Sequence, residues 1–94
     1  MPVYRLTEFT SPDMSKTVEF CETLRDEVAA AGAESIDVIS VGGGKGVVIA
    51  KYATKELMEA ATPINKSAFG KMIGADLVNA DSIGGQSGEV VFSF

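Results

Sequence analysis

Residues 35–52, SIDVISV-GGGKG-VVIAKY, constrain the fold of this chain most: two apolar, β-branched runs flank a glycine-dense turn. β-Branched side chains suit a pleated surface and glycine supplies the positive φ of a tight reversal, so the stretch predicts a β-hairpin. Ile36, Val38, Ile39 and Val41 make its first arm, and Val47, Val48, Ile49, Ala50 and Tyr52 its second. An antiparallel strand with one wet face alternates apolar and polar residues; these nearly continuous apolar runs instead predict cover on both faces.

The turn, Gly42-Gly43-Gly44-Lys45-Gly46, invites comparison with a phosphate-binding loop. That loop places four residues between its first glycine and Gly-Lys and then a Ser or Thr opening a helix, whereas Lys45 is followed by Gly46 and a strand. A plain hairpin reversal is expected.

Around the hairpin, the other elements follow from local signals. Val3 to Phe9 is a run of β formers containing Tyr4, Leu6 and Phe9, the first strand. Ser11 is expected to cap a helix with Pro12 at its first position and Asp13 in its first turn. Met14, Val18, Cys21, Leu24, Val28 and Ala31 then recur at three and four residues, predicting about five turns closed by Gly32. After the hairpin, Thr54 caps a segment from Lys55 to Ala61; Thr62-Pro63 interrupts it and restarts a second segment from Pro63 to Ile73, ended by Gly74. Asp76 to Gly88 reads as a loop, and Glu89 to Phe94 (EVVFSF) as a short apolar closing strand.

Strand, helix, strand, hairpin, strand, helix, loop, strand is a split βαβ repeated twice, which makes the fold class α+β, ferredoxin-like βαββαβ. The four-stranded antiparallel sheet is expected in the order 4-1-3-2. Right-handed crossovers put both helices on one sheet face, leaving the other without cover from this chain. A single domain over residues 1–94 buries only about 60–65% of its unfolded surface, so a second copy laid on the bare face would both complete the core and add stability. A homodimer is the partner expectation.

Thirteen acidic against eight basic residues give a net charge of −5, and no cluster of Lys and Arg offsets it. Phosphate binding is carried mostly by Lys and Arg, so neither nucleic acid nor an anionic membrane is an expected partner. No apolar run approaches the length of a membrane span, and MPVYRLTEF lacks the layout of a signal peptide, so a cytoplasmic location is expected. The single cysteine, Cys21, has no histidine to activate it and lies beside Glu22; it reads as a small core residue. Glu19, Glu22 and Asp26 share a helix face with Lys16 and Arg25, which reads as a solvated face, and with no histidine anywhere neither metal nor haem nor any other cofactor is expected.

With the βαββαβ order, a length near 100 residues, the hairpin VISVGGGKGVVIAKY, the interrupted second helix and the terminal EVVFSF, the chain resembles the dimeric α+β-barrel proteins over nearly its whole length. These include the antibiotic-biosynthesis-monooxygenase-like domains. The resemblance implies two sheets paired face to face as a barrel, with a small organic molecule held between sheet and helices. Some members oxidise polyketide-like aromatics without a cofactor. The haem-degrading members rely on a Trp, a His and an Asn; this chain has neither Trp nor His, and Asn65 alone does not carry that activity over.

The ligand-binding candidates are Tyr4, Glu8, Tyr52, Asn65 and Phe69. Tyrosine hydroxyls and the Asn65 amide would orient an apolar or aromatic ligand, and Glu8 is the one carboxylate considered as a base, provided burial raises its pKa. Tyr4, Tyr52 and Phe69 also fit plain core packing, and the strand charges Arg5 and Glu8 fit an ion pair. The reading is thus of a small-molecule binder in a helix-sheet cleft, with a cofactor-free monooxygenase-like enzyme, a non-catalytic interaction module and a metabolite sensor acting through the Asp76 to Gly88 loop as alternatives.

Overall fold

A computed structural model describes all 94 residues. The chain runs β1 (Val3–Thr10), α1 (Met14–Thr23), α2 (Arg25–Ala29), β2 (Ser35–Gly42), β3 (Lys45–Tyr52), α3 (Lys55–Ala60), α4 (Thr62–Gly74), a 3-10 turn at Ala80–Ser82, and β4 (Gly84–Glu89). Its four strands form one antiparallel sheet in the order β2-β3-β1-β4, the expected 4-1-3-2 read from the other edge. The fold is α+β and ferredoxin-like.

The hairpin reverses at Gly43 and Gly44, with φ of 65° and 75°. Positive φ at both central residues is what a two-residue type I′ turn requires. The Gly44 carbonyl also accepts a 2.7 Å hydrogen bond from the Ser11 amide, tying the hairpin tip to the end of β1.

Three local expectations are corrected. Asp13, not Ser11, caps α1, its carboxylate accepting from the Lys16 amide; Ser11 turns inward instead and bonds the Thr17 hydroxyl at 2.7 Å. The expected five-turn helix breaks at Leu24, where the backbone flattens to ψ −1° and its amide bonds the Cys21 carbonyl, giving α1 and α2. Thr54 does cap α3, through the Leu57 amide, but the cap of α4 is Ala61, with no side-chain bond; the Thr62 hydroxyl is engaged elsewhere.

The largest correction concerns the end of the chain. β4 is Gly84–Glu89, all but its last residue inside the stretch read as loop, while EVVFSF runs past the sheet after Glu89. Two contacts fix this register. Asn79 and Ser82 clamp the far end of β1, the Thr10 amide donating to Ser82 Oγ at 2.8 Å and Asn79 Nδ2 to Thr10 Oγ1 at 2.8 Å. The chain therefore joins β1 at Glu8, opposite Gly84, and by Glu89 it faces Val3, where β1 begins. Beyond that the Val90 amide bonds the Pro2 carbonyl, and Val91, Phe92 and Phe94 are left exposed.

The helices form one layer over one sheet face, burying two clusters at its opposite ends. Val3, Ala31, Ala50, Tyr52, Met58 and Ala61 form one; Phe9, Leu24, Ala68, Met72 and Val78 form the other. The opposite face carries Tyr4, Leu6, Ile39, Val47 and Ile49 among polar groups and has no cover within the chain.

Candidate functional site

Side chains alternate along a strand, so Val3, Arg5, Thr7 and Phe9 of β1 face the helices. Val3 and Phe9 sit one in each core cluster, and Arg5 and Thr7 occupy the interval between them. Opposite that interval, β3 offers only Val48 and Ala50, and α4 offers Ala68 beside Asn65 and Phe69. Small side chains facing one another across the layers do not fill the space, and a cavity of about 500 Å³ remains between sheet and helices. Val18 and Cys21 of α1, Val28 of α2, and Ile36 and Val38 of β2 complete its walls. Thirteen of the 20 lining residues are hydrophobic, so the few polar groups inside set its chemistry.

The half-buried Arg5 donates from Nη2 to Thr62 Oγ1 at 2.9 Å, which explains why that hydroxyl does not cap α4. Arg5 forms no ion pair; the expected partnership with a carboxylate is not found, because Glu8 lies three residues on and points to the other face. Asn65 Nδ2 donates to Tyr52 Oη at 3.3 Å across the cavity's inner end. Phe69 packs edge-on against Phe9 with ring centroids 6.1 Å apart.

At the cavity rim the charges neutralise one another. Arg25 grips Glu22 through two bonds of 3.0 and 2.7 Å, which lowers the carboxyl pKa and raises that of the guanidinium, while Lys51 lies 3.6 Å from Glu34. Burial, and secondarily the Glu22 carboxylate, push the Cys21 thiol above its ordinary value. The Glu22 side of α1 therefore holds an ion pair, and nowhere do three potential metal ligands converge.

Of the five residues singled out from sequence, Asn65 and Phe69 line the cavity. Tyr52 is fully buried beneath it and reaches it only through the Asn65 amide. Tyr4 and Glu8 stand on the uncovered sheet face, Tyr4 in a shallow depression with Leu6 and residues 86–90, so neither belongs to the cleft. Arg5 and Thr7 carry the polar character that Tyr4 and Glu8 were expected to supply. A period-two count from the apolar Val3 and Phe9 points to them, since residues at even spacing share a face.

No family model matches this sequence, and no curated protein is significantly similar to it. Solved structures do share its fold. NE2512, a protein of unknown function from Nitrosomonas europaea, superposes with a TM-score of 0.76 at 9% identity, covering 99% of this chain and 92% of its own. A dimeric ferredoxin-like protein from an uncultured marine organism gives 0.70 at 16% identity, over 100% and 98%. SnoaB, a cofactor-independent oxygenase from Streptomyces nogalater, gives 0.65 at 12% identity, over 98% and 95%. The chain is thus built like dimeric ferredoxin-like and antibiotic biosynthesis monooxygenase-like proteins.

Proposed function

We propose that this chain acts as a homodimer whose subunits each bind a small, largely apolar or aromatic molecule between sheet and helices. The cavity itself carries the reading: about 500 Å³ of mostly apolar space holding Arg5, Thr7 and Asn65 has the size and mixed lining of a small-molecule site. Self-association is supported by the apolar, uncovered sheet face and by the likeness to a dimeric ferredoxin-like protein.

The test uses N-phenyl-1-naphthylamine, a neutral dye whose fluorescence rises in apolar sites. Saturable binding is expected, weakened at least about tenfold by Val18→Trp. Val18 lines the cavity from an exposed position, so the larger ring blocks the entrance without overpacking the core. Equal binding to wild type and V18W would place the dye elsewhere and overturn the reading.

A second reading, cofactor-free oxygenation of the bound molecule, draws on the fold shared with SnoaB. Oxygen uptake with an aromatic phenol or hydroquinone, abolished by V18W and absent in a boiled sample, would establish it over binding alone.

A further inference from the structure

We infer that the cavity selects a ligand bearing a carboxylate, which the Arg5 guanidinium binds; this rests on the helix-sheet cavity being the binding site. An arginine on the covered face of a sheet loses part of its hydration, and proteins ordinarily compensate with a carboxylate. Arg5 has none. Its cross-strand neighbours are Ala50 and Ser87, and its one hydrogen bond goes to the neutral Thr62 hydroxyl.

The nearby acids are already committed. Glu22 is bound by Arg25 and Glu34 is paired with Lys51, so Arg5 is the cavity's one charge without a counter-charge. No buried side-chain nitrogen or oxygen in the chain lacks a partner, and Arg5 Nε and Nη1 make no bond within the chain; both are therefore reachable from solvent. A planar guanidinium with free N–H groups matches the two oxygens of a carboxylate. Thr62 anchors one arm of the fork, and Thr7, two residues on along the same sheet face, lines the same cavity. With an apolar body in the walls of Val28, Val48 and Phe69 and an acidic end at Arg5, the ligand class is an aromatic or apolar carboxylic acid.

Isothermal titration with 2-naphthoate and its neutral isostere 2-naphthamide tests this. Wild type is expected to bind the acid about tenfold or more tightly than the amide, the difference that a charge-assisted over a neutral hydrogen bond makes. Arg5→Gln should remove that preference, and Arg5→Lys, which keeps charge but not the fork, should restore part of it. The preference should also shrink as NaCl is raised. Equal affinity of acid and amide for wild type, or an acid preference that survives in R5Q, overturns the inference, while N-phenyl-1-naphthylamine binding that V18W weakens leaves the cavity reading standing. Silence of all three probes overturns both. Circular dichroism of R5Q and R5K separates loss of fold from loss of preference, and R5K alone decides if R5Q does not fold.

Discussion

The ring of Phe9 lies across Gly46: a Cβ built on Gly46 would collide with Phe9 Cζ and sit 2.8 Å from Cε1. The two residues face each other in the β1/β3 register, so the aromatic on one strand fills the place of the side chain missing from the other. Phe9 is itself buried and braced by Phe69, which leaves its ring little room to yield. Gly46→Ala should therefore destabilise by about 1–3 kcal/mol, the usual range for overpacking. Urea unfolding would register a lower midpoint at unchanged m-value, and combining G46A with Phe9→Leu should recover part of the loss. A G46A midpoint equal to wild type would refute the close fit.

Tyr52 is fully buried, and its hydroxyl meets the Asn65 amide. Tyr52→Phe removes one modest hydrogen bond and is expected to lower stability by about 0.5–1.5 kcal/mol. Tyr52→Ala empties the centre of one core cluster and should reach about 3–5 kcal/mol, as large-to-small aromatic replacements do. Thermal melts of the two variants should rank in that order.

Glu27 joins α2 to α4, accepting from Lys71 Nζ at 2.6 Å and Ser67 Oγ at 2.8 Å. Those bonds, the lysine's foremost, lower its carboxyl pKa in the folded chain. A depressed acid contributes stability that is complete above the ordinary glutamate value of about 4.3 and disappears as pH falls through the lowered value. The stability difference between wild type and Glu27→Gln should accordingly be constant at neutral pH and close in the acid range below about 4.3. A difference that stays constant down to the acid-unfolding limit would show that the clasp carries no charge-dependent stability.

Cys21 lines the cavity with a thiol whose pKa is raised by burial and by Glu22. Only the thiolate attacks, so alkylation by iodoacetamide at pH 7 should be slower than for free cysteine and should accelerate as pH rises past the ordinary thiol value of about 8.5. A rate matching free cysteine would contradict the shift. Saturating 2-naphthoate should slow it further.

The open sheet face assigns Val47 outward and Val48 inward to the cavity wall. For the homodimer proposed above, Val47→Asp places a charge against the partner, while the chain's own core is untouched. Sedimentation should show a dimer for wild type, since a stable interface buries about 800 Å² per partner, and a monomer for V47D. A monomeric wild type at micromolar concentration would rule out the dimer.

The hairpin and the helices are legible in sequence because they rest on patterns within a few residues, namely β-branched runs, positive-φ glycines and apolar spacing of three and four; strand order follows from the order of elements and the handedness of their crossovers. β4 itself is not legible. Its residues, GGQSGE, are all exposed and bind β1 through the backbone, whereas the apolar VVFSF that follows looks like a strand and lies beyond the start of β1. That outcome depends on Asn79 and Ser82 meeting Thr10 from about 70 residues away in sequence, a contact no local pattern encodes. Helical spacing puts Phe69 with Ala68 and Met72 on the inner face of α4, which is why its place in the cavity wall is legible; Asn65 lines the same wall but no apolar pattern marks it. Tyr4 and Glu8 were misplaced because an apolar strand conceals which face is inward; only the positions of Val3 and Phe9 resolve it, and they make Arg5 the inward charge.

The two core clusters lie at opposite ends of the covered sheet face, with Arg5 and Thr7 of β1 between them. Substitutions in groups that share no partners tend to add independently. One end of this domain can thus absorb change that reshapes the pocket wall while the other keeps the sheet folded. A chain divided in this way tolerates substitution at one end without emptying the core of the other, in keeping with a backbone course shared with proteins only 9–16% identical to it.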